Sequence, residues 1–425
     1  MNLKEKIINK KAKIGVMGLG YVGLPLACEF ARAGFRVTGI DINRERIKRI
    51  KMGRHYIEDV GRKGVIQLIK KEFLKPTTDF KALKGLDAVI ICVPTPLRKT
   101  KDPDISYVVS ATKKIAKYLK NNQLIILEST TYPGTTREVI LPILKETRKR
   151  FYLAFSPERI DPGNKEYTLR NTPKVVSGIT KESTRMAEAL YKEIVDEVIC
   201  VSSTEAAEMV KLLENTFRSV NIGLVNEMAL MCHRLGIDVW EVIEAAKTKP
   251  FGFMPFYPGP GLGGHCIPVD PHYLSWKLKT LDFYARFIEL AGEINSKMPE
   301  FLVERIEDAL NKKRKAIKGS KVLILGVAYK RDVSDTRESP ALDVIRILQK
   351  KGAKVSYCDP HVPNLRLDGK VLRSQKTPSL EKQDCVVIVT DHTAFDYPAI
   401  VKRAGLIIDS RNATKGIKSR KIVKL

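Results

Sequence analysis

The N-terminal part of the chain alternates short apolar runs with longer, charged segments of helical character. The apolar runs are KIGVMGL from Lys13, FRVTGID ending at Asp41, DAVIICVP from Asp87, QLIILEST from Gln123 and RFYLAFSPE from Arg150. Runs of this length and composition are typical of buried strands. Strands that alternate with helices predict a parallel, doubly wound sheet with right-handed crossovers.

A single helical period replaces this alternation from Ser202 and continues to Gly236, which can supply a left-handed C-terminal turn. Ser202 and Glu205 have the spacing of a capping box at the start of this helix. Apolar residues recur every three or four positions at Met209, Leu212, Leu213, Phe217, Val220 and Leu224. This period predicts one long helix with a buried face, of the kind that bridges domains or subunits.

Alternation of strands and helices returns after a basic linker at residues 311–319. The strand-like runs there are KVLILGVAY, AKVSYCD, DCVVIVT and GLIIDS. A chain of 425 residues is also too long for one ordinary core. We therefore predict an α/β fold with two Rossmann-like, doubly wound domains joined by a long central helix and a helical segment. The predicted domains are residues 1–203, 204–310 and 311–425.

The composition is that of a soluble globular protein, with 44% hydrophobic and 29% charged residues. The seven cysteines are widely spread and never form C-x-x-C, which argues against a disulfide framework and against a zinc site. The six histidines show no metal-ligand spacing, so no metal is predicted. The N-terminus is polar and no apolar run approaches the ~20 residues of a membrane helix. We expect a cytoplasmic protein without membrane insertion.

The formal charge of +27 suits either a nucleic-acid or membrane binder or an enzyme whose field attracts a polyanionic substrate. The basic residues are scattered, apart from short clusters such as residues 312–315. No aromatic residues interleave with them, as a base-stacking surface would require. The distribution favours the enzyme, and we expect no nucleic-acid partner.

A glycine triad lies between the first predicted strand and the next helix. Gly18, Gly20 and Gly23 form G-x-G-x-x-G, which permits a tight turn, a close approach to a pyrophosphate and close packing of helix on strand. Asp41 ends the second strand, where a carboxylate can bind the ribose diol of NAD rather than NADP. Arg46 follows one helical turn later, and contact with the adenosine phosphate and a solvated position are equally compatible with its spacing.

The segment FYPGPGLGGHCIPVD, residues 256–270, carries the most informative chemistry. Its glycines and prolines would let a substrate approach Cys266, and Asp270 could hold a water or an ammonium group near the thiol. When an alcohol is oxidised beyond the aldehyde, the aldehyde carbon must become tetrahedral before a second hydride can leave, and attack by a thiolate achieves this. A reactive cysteine in this loop therefore indicates a four-electron oxidation. A structural cysteine in a turn is the alternative, and we accept it for the other six cysteines.

Two polar residues share one face of the predicted long helix. Lys211 and Asn215 are four positions apart, so an ammonium and an amide can point toward one spot. Together they could stabilise the oxyanion of an alkoxide or a thiohemiacetal. Spacing alone favours the alternative of a solvent-exposed pair.

Seven stretches, in the same order along essentially the whole chain, resemble the UDP-glucose/UDP-N-acetylhexosamine 6-dehydrogenase family. They are GLGYVGLPLA, CVPTP, ESTTYPGT, SPERIDPGN, EMVKLLENTFR, GPGLGGHCIPVDP and YKRDVSDTRESP. The resemblance implies NAD-dependent oxidation of the C6 hydroxyl of a UDP-hexose to a carboxylate, for polysaccharide or glycan precursor biosynthesis. It also implies a homodimer or a larger homo-oligomer.

The resemblance assigns roles to individual residues, with Cys266 as the nucleophile and Glu158 as the base for thioester hydrolysis. The implied catalytic residues are Cys266, Lys211, Asn215, Asp270, Thr130 and Glu158. The implied NAD-binding residues are Gly18, Gly20, Tyr21, Val22, Gly23, Asp41, Arg46, Val93, Thr95, Thr130 and Arg337. The implied UDP-sugar-binding residues are Glu158, Lys211, Asn215, Arg218, Gly263 and Lys330.

Two positions bear on the identity of the sugar. UDP-glucose dehydrogenases carry a second glutamate where this chain has Pro162, and usually a lysine where it has Val269. Both differences resemble the N-acetylhexosamine branch, and the run GPGLGGHCIPVDPHYLSWK looks most like that of UDP-N-acetylglucosamine 6-dehydrogenases. The predicted substrate is therefore UDP-N-acetylglucosamine, with UDP-N-acetylmannosamine or UDP-glucose as the alternative. A single-step hydroxyacid dehydrogenase, in which Cys266 would be dispensable, a nucleic-acid binder and a UDP-sugar sensor without turnover are the rival functions.

Overall fold

The computed structural model describes residues 1–53, 61–98, 102–161, 164, 166–264 and 266–425. The chain forms two compact units, of which the first comprises Met1–Glu214 and His272–Phe283. The second comprises Asn215–Pro271 and Tyr284–Leu425. In the described part of the chain, no helix is both long and apolar enough to span a bilayer.

Strands and helices alternate through most of the chain. The strands are β1 Lys13–Met17, β2 Arg36–Ile40, β3 Leu74–Thr77, β4 Ala88–Ile91, β5 Gln123–Leu127, β6 Phe151–Phe155, β7 Lys174–Gly178, β8 Val198–Cys200, β9 Lys321–Leu325, β10 Lys354–Cys358, β11 Asn364–Leu367, β12 Lys370–Arg373, β13 Cys385–Ile388, β14 Ile407–Asp409 and β15 Ile422–Lys424. The α-helices are α1 Leu3–Ile8, α2 Gly23–Arg32, α3 Arg44–Lys51, α4 Arg62–Lys70, α5 Ser106–Tyr118, α6 Leu141–Lys145, α7 Lys181–Tyr191, α8 Thr204–Leu235, α9 Val239–Ala246, α10 Asp270–Lys279, α11 Arg286–Lys312, α12 Pro340–Lys350 and α13 Tyr397–Arg403.

The first unit is built on an eight-stranded sheet with the order β3-β2-β1-β4-β5-β6-β7-β8. Neighbouring strands pair in parallel, except that β7 runs antiparallel to β6. Strands β4 and β5 are buried along their whole length, as expected where both faces of a parallel sheet are covered. The strand order reverses between β1 and β4, and doubly wound sheets bind ligands at the carboxyl ends of strands at such a point.

The second unit contains a parallel five-stranded sheet with the order β10-β9-β13-β14-β15 and a separate hairpin of β11 and β12. Helices α11 and α12 contribute buried apolar side chains to its core, including Met298, Leu302, Ile306, Val344 and Leu348. The two doubly wound sheets confirm the predicted α/β fold class.

Helix α8 confirms the long helical period but corrects its start. The helix begins at Thr204, and the N–H of Ala206 donates to the Oγ of Ser203. The predicted capping box of Ser202 and Glu205 is therefore wrong, because the serine one position later caps the helix and the third residue after it is Ala206 rather than a glutamate. Gly236 ends the helix with a φ of +72°, as predicted.

The apolar stripe of α8 is only partly covered by this chain. Leu212 is fully buried, whereas four other members of the predicted face are exposed, namely Met209, Leu213, Phe217 and Leu224. The expectation of a buried face is therefore not met within a single chain.

Candidate active site

The predicted glycine triad forms the turn between β1 and α2. Gly18 has a φ of +91°, and a Cβ there would lie 2.4 Å from the carbonyl oxygen of Cys92. A Cβ on Gly23 would lie 1.8 Å from the carbonyl oxygen of Gly18. These two glycines are required by the backbone itself, one for the turn and one for helix packing.

Gly20 differs from the other two because nothing in the fold requires a glycine there. Its φ lies outside the left-handed region, and a Cβ would meet no atom within 4 Å. The open space lies just before the N-terminus of α2, where backbone N–H groups and the helix dipole favour a phosphate. The residues therefore fit a dinucleotide pyrophosphate, which a Cβ at Gly20 would displace.

We expect Gly20→Ala to weaken NAD binding without weakening the fold. The KM for NAD should rise roughly tenfold or more, equivalent to ~1.4 kcal/mol, because the methyl group fills the phosphate space. Thermal unfolding should be unchanged or slightly raised, since alanine restricts the unfolded chain. Gly85→Ala is the matched control, because a Cβ there also meets nothing within 4 Å. An unchanged KM in Gly20→Ala would contradict this assignment.

Asp41 is held at the carboxyl end of β2. Its Oδ2 accepts the N–H of Leu19 and the Nη1–H of Arg46, both at 2.8 Å, and its Oδ1 accepts the N–H of Asn43 at 2.8 Å. The carboxylate is 4% exposed and faces the glycine turn. Because Arg46 is ion-paired with Asp41, it is not a purely solvated residue. Its contact with the adenosine phosphate stays a proposal.

The other predicted cofactor residues of the first unit follow the same edge of the sheet. Val93 and Thr95 follow β4, Thr130 follows β5, and Tyr21 and Val22 lie in the glycine turn. All are near the carboxyl ends of parallel strands or the start of α2, where a dinucleotide binds such a sheet. Arg337, also predicted to contact NAD, belongs to the second unit.

A buried ion cluster, absent from the sequence prediction, lies at this edge. The Nζ of Lys174 donates to the Oε1 of Glu128 at 2.5 Å and to the Oε2 of Glu158 at 3.0 Å. The Oε1 of Glu158 accepts the N–H groups of Arg159 and Ile160, both at 2.7 Å. The cluster fixes the predicted base Glu158. Lys174 was missed because the sequence of β7 gives no clear strand signal. Lys174 is the first residue of β7, and the antiparallel direction of β7 places this residue at the carboxyl ends of β5 and β6.

The residues beside Thr130 add a second feature that was missed. The hydroxyl of Thr131 is buried and has no hydrogen-bond partner in the described part of the chain, whereas Thr130 is half-buried. A buried hydroxyl left unsatisfied costs ~1–3 kcal/mol and calls for an explanation such as a ligand or a catalytic role. We therefore add Thr131 to the predicted site.

Helix α8 is tied to the loop after β5 through Glu208. The carboxylate of Glu208 accepts the N–H groups of Gly134 and Thr136 at 2.6 and 2.9 Å, and the hydroxyl of Thr136 at 2.7 Å. Burial raises the pKa of Glu208 to about 7, although these hydrogen bonds oppose the shift. Lys211 lies on α8 one turn further along, so the first unit contains it together with Thr130 and Glu158.

The cysteine loop belongs to the second unit and brings three predicted residues together. The Nδ2–H of Asn215 donates to the Oδ2 of Asp270 at 2.5 Å, and both side chains are buried. The N–H of Asp270 donates to the carbonyl oxygen of Cys266 at 2.7 Å, which places Cys266 one turn before α10. Cys266 is half-buried. Asn215 is thus not the solvent-exposed residue that its spacing alone favoured.

Two sets of contacts hold this loop in place. The N–H of Gly259 donates to the Oδ1 of Asn226 at 2.9 Å, and the Nδ2–H of Asn226 donates to the Oδ1 of Asn295 at 2.8 Å. The N–H of Gly264 donates to the carbonyl oxygen of Arg337 at 3.1 Å. Fixed contacts of this kind support the geometry of a reactive side chain.

The C-terminal part of the second unit packs closely against the loop. A Cβ on Gly263 would lie 2.7 Å from the Cβ of Tyr329, next to Lys330, which explains the glycine. A Cβ on Gly259 would lie 2.6 Å from the Nη1 of Arg411, a cation that the sequence prediction missed. The side chain of Arg337 is ion-paired with Asp335, and Arg218 is exposed on α8.

One group of metal-binding residue types occurs among the described residues, formed by Asp332, His361 and His392. The fold assembles it from separate loops, so the sequence spacing could not indicate it. The Nδ1 of His392 accepts the N–H of Asp332, and its Nε2 lies 3.0 Å from the carboxylate of Asp359. Both ring nitrogens of His392 already have partners, and we assign no metal. Pro162 and His265 lie outside the described residues.

Most of the chain matches three consecutive family models of the UDP-glucose/GDP-mannose dehydrogenase family. The NAD binding domain matches residues 12–195, the central domain residues 205–297 and the UDP binding domain residues 323–416. The chain belongs to this family. It is an NAD-dependent UDP-sugar dehydrogenase, an oxidoreductase, as the sequence predicted.

Named members of this dehydrogenase family are similar over nearly the full length. The UDP-N-acetyl-D-mannosamine dehydrogenase of Methanococcus maripaludis strain C7 is 39% identical over 90% of this chain and 87% of its own. The UDP-N-acetyl-D-glucosamine 6-dehydrogenase of Pseudomonas aeruginosa is 36% identical over 91% of this chain and 92% of its own. The solved UDP-D-ManNAc dehydrogenase of Pyrococcus horikoshii superposes with a TM-score of 0.89 at 36% identity, covering 97% of this chain and 98% of that chain.

Proposed function

We propose that this dehydrogenase oxidises the C6 hydroxyl of a UDP-N-acetylhexosamine to the carboxylate through a covalent thioester on Cys266. The observation that carries the proposal is the hydrogen bond between Asn215 and Asp270, next to Cys266 in a glycine-rich loop. An amide, a carboxylate and a thiol held together in this way suit capture of an aldehyde and later attack by water. A one-step alcohol dehydrogenase has no use for the thiol.

The proposed steps assign each group a role. Lys211, with ordered water, assists removal of the C6 hydroxyl proton, and Lys211 and Asn215 stabilise the oxyanions that follow. NAD, bound anew for each of the two oxidations, would supply the acceptor for one hydride each time. The thiolate of Cys266 attacks the aldehyde carbon, and oxidation of this thiohemiacetal gives the thioester.

Hydrolysis of the thioester ends the reaction. Asp270 and Thr130 orient the water, Glu158 takes its proton, and Cys266 leaves as the thiolate. For substrate binding we propose Arg218, Gly263 and Lys330, with Arg337 near the nicotinamide side. The net charge of +27 would draw the UDP diphosphate toward the enzyme.

Two sugars are candidates, and a different observation favours each. The run GPGLGGHCIPVDPHYLSWK around the cysteine loop resembles UDP-N-acetylglucosamine 6-dehydrogenases and favours UDP-N-acetylglucosamine. Relatives at 38–39% identity carry the name UDP-N-acetyl-D-mannosamine dehydrogenase, against 35–36% for those named UDP-N-acetyl-D-glucosamine 6-dehydrogenase. The two substrates differ only in configuration at C2, so the shape of the pocket around C2 decides between them.

The substrate is identified by comparing kcat/KM for UDP-N-acetylglucosamine, UDP-N-acetylmannosamine and UDP-glucose with the wild-type enzyme. The proposal expects one of the two N-acetyl sugars to exceed UDP-glucose at least tenfold, since a site that binds an amide rejects a ligand without it. A preference for UDP-glucose would contradict the N-acetylhexosamine assignment. We further propose that the product feeds polysaccharide or glycan precursor biosynthesis in the cytoplasm, where seven free cysteines are stable.

We also propose a homodimer that covers the exposed stripe of α8. Leu213 and Leu224 are 61% and 54% exposed, and a soluble monomer rarely exposes such a stripe. Wild type should have roughly twice the chain mass of 47.8 kDa in light scattering, and the double variant Leu213→Glu, Leu224→Glu should have the mass of one chain. Val371→Glu, on an exposed residue of β12, should keep the wild-type mass. A monomeric wild type would contradict the proposal.

A further inference from the structure

The ion cluster around Lys174 contains one more acid than thioester hydrolysis requires. The side chains of Lys174, Glu128 and Glu158 are 5%, 0% and 10% exposed. With all three groups ionised, the cluster carries one net negative charge away from water. Such a charge is costly to bury, so uptake of one proton by the cluster is favourable.

Two further groups face the cluster and remain uncharged. The hydroxyl of Tyr191 donates to the Oε2 of Glu128 at 2.6 Å, and the buried thiol of Cys92 lies nearby. Burial raises the pKa values of Tyr191 and Cys92 well above their ordinary values. Among the described groups of this cluster, the two carboxyl groups are therefore left to accept the proton.

Glu158 by itself is a poor base. Both of its oxygens accept hydrogen bonds, Oε1 from two backbone N–H groups and Oε2 from Lys174. Burial opposes ionisation, but the charge of Lys174 and these hydrogen bonds hold the pKa of Glu158 below its ordinary value. A carboxylate stabilised this strongly cannot retain a proton taken from water at neutral pH.

Glu128 has the opposite tendency. Its burial raises its pKa to about 7; Lys174 opposes this shift, while the charge of Glu158 and a hydrogen bond between the two carboxyl groups add to it. When the pKa values of two neighbouring acids are shifted apart in this way, one acid can take up a proton and the other can hold it. Neither Glu128 nor Lys174 contacts the substrate in the reaction proposed above.

We propose that Glu128 is a positioning residue that stores the proton released during thioester hydrolysis. Glu158 takes one proton from water while the hydroxyl oxygen bonds to the thioester carbon, and the C–S bond then breaks to release the Cys266 thiolate. The proton passes from Glu158 to Glu128, whose carboxyl groups both bind the Nζ of Lys174, and Lys174 keeps its charge throughout. The cluster thereby changes from a net charge of −1 to neutral. This inference rests on the proposed role of Glu158.

The test follows NADH formation and the covalent adduct in Glu128→Gln. Stopped-flow should show an undiminished burst of NADH, because hydride transfer does not use Glu128. Steady-state turnover should then fall at least about tenfold, and intact-protein mass should show a sugar adduct on the enzyme. Asp87→Asn is the matched control, since Asp87 binds Lys6 and Lys120 before β4, at the opposite edge of the sheet. It should show no adduct.

The pH dependence gives a readout that a merely structural role would not change. In wild type, hydrolysis should slow as pH falls through about 7, because a cluster that already carries the proton cannot accept another. This pH-dependent slowing should disappear in Glu128→Gln. If Glu128→Gln folds poorly, Tyr191→Phe replaces it. Loss of the hydroxyl donor favours the protonated form of Glu128, so the slowing should begin at a higher pH.

Glu158→Gln separates the two levels of the proposal. Suppose that Glu158→Gln accumulates the adduct, that Glu128→Gln does not, and that Glu128→Gln or Tyr191→Phe keeps the wild-type pH profile. This result would overturn the proton store but leave the assignment of Glu158 as the base intact. Wild-type hydrolysis in Glu158→Gln would overturn the base assignment and the proton store together. Adducts in both variants support the inference.

Discussion

Replacing Cys266 by serine is expected to stop net turnover, lowering the steady-state rate by at least about 10³-fold. An aldehyde carbon must become tetrahedral before a second hydride can leave, and a serine hydroxyl is a far weaker nucleophile at neutral pH than a thiolate. Binding of UDP and NAD should survive, because the contacts of Gly259 with Asn226 and of Gly264 with the carbonyl oxygen of Arg337 hold the loop in the variant as in wild type. Stopped-flow NADH formation and isothermal titration with UDP measure the two effects.

Cys358→Ser is the matched control for this prediction. Cys358 is a half-buried thiol of the same unit, and burial raises its pKa to about 11, so it is neutral and unreactive near pH 7. Its replacement should leave turnover within about twofold of wild type. A Cys266→Ser enzyme that still turned over at the wild-type rate would show a simple alcohol dehydrogenase instead.

Lys211→Met should lower kcat by about 10²–10³-fold, the usual effect of removing one group that stabilises an oxyanion. The ammonium is the cationic member of the pair on α8, and methionine keeps the length and helix propensity of lysine. The KM for NAD should change little, because the glycine turn and Asp41 do not involve α8. Steady-state kinetics with both substrates varied give the kcat and both KM values.

Lys192→Met provides the control for Lys211→Met. Lys192 forms an exposed ion pair with Glu188 in the first unit, and such exposed pairs contribute little to stability. Its loss should leave kcat within about twofold. If Lys211→Met behaved in the same way, Lys211 would be a surface residue, as its spacing alone allowed.

The features of this fold that the sequence predicted are those with strong local patterns. Strands β4 and β5 are continuous apolar runs because a covered parallel sheet buries both faces. The glycine triad was recognisable because Gly18 and Gly23 are required by backbone geometry. The approach of Asn215 to Asp270 could be expected only from the family resemblance, since 55 positions separate them.

The features that sequence reasoning missed depend on long-range pairing. A buried lysine has no local signature, and Lys174 reaches Glu128 and Glu158 only because β7 runs antiparallel to β6. The cluster of Asp332, His361 and His392 likewise forms from loops far apart in sequence. The helical period of α8 revealed an apolar face, but a period cannot tell whether the same chain or a second copy covers it.

The measurement that tests the central claim most directly is the number of NADH molecules formed per UDP-N-acetylhexosamine consumed by the wild-type enzyme. Covalent capture by Cys266 predicts two NADH and one uronate per sugar, with no free aldehyde. One NADH per sugar, with an aldehyde released into solution, would contradict the four-electron mechanism.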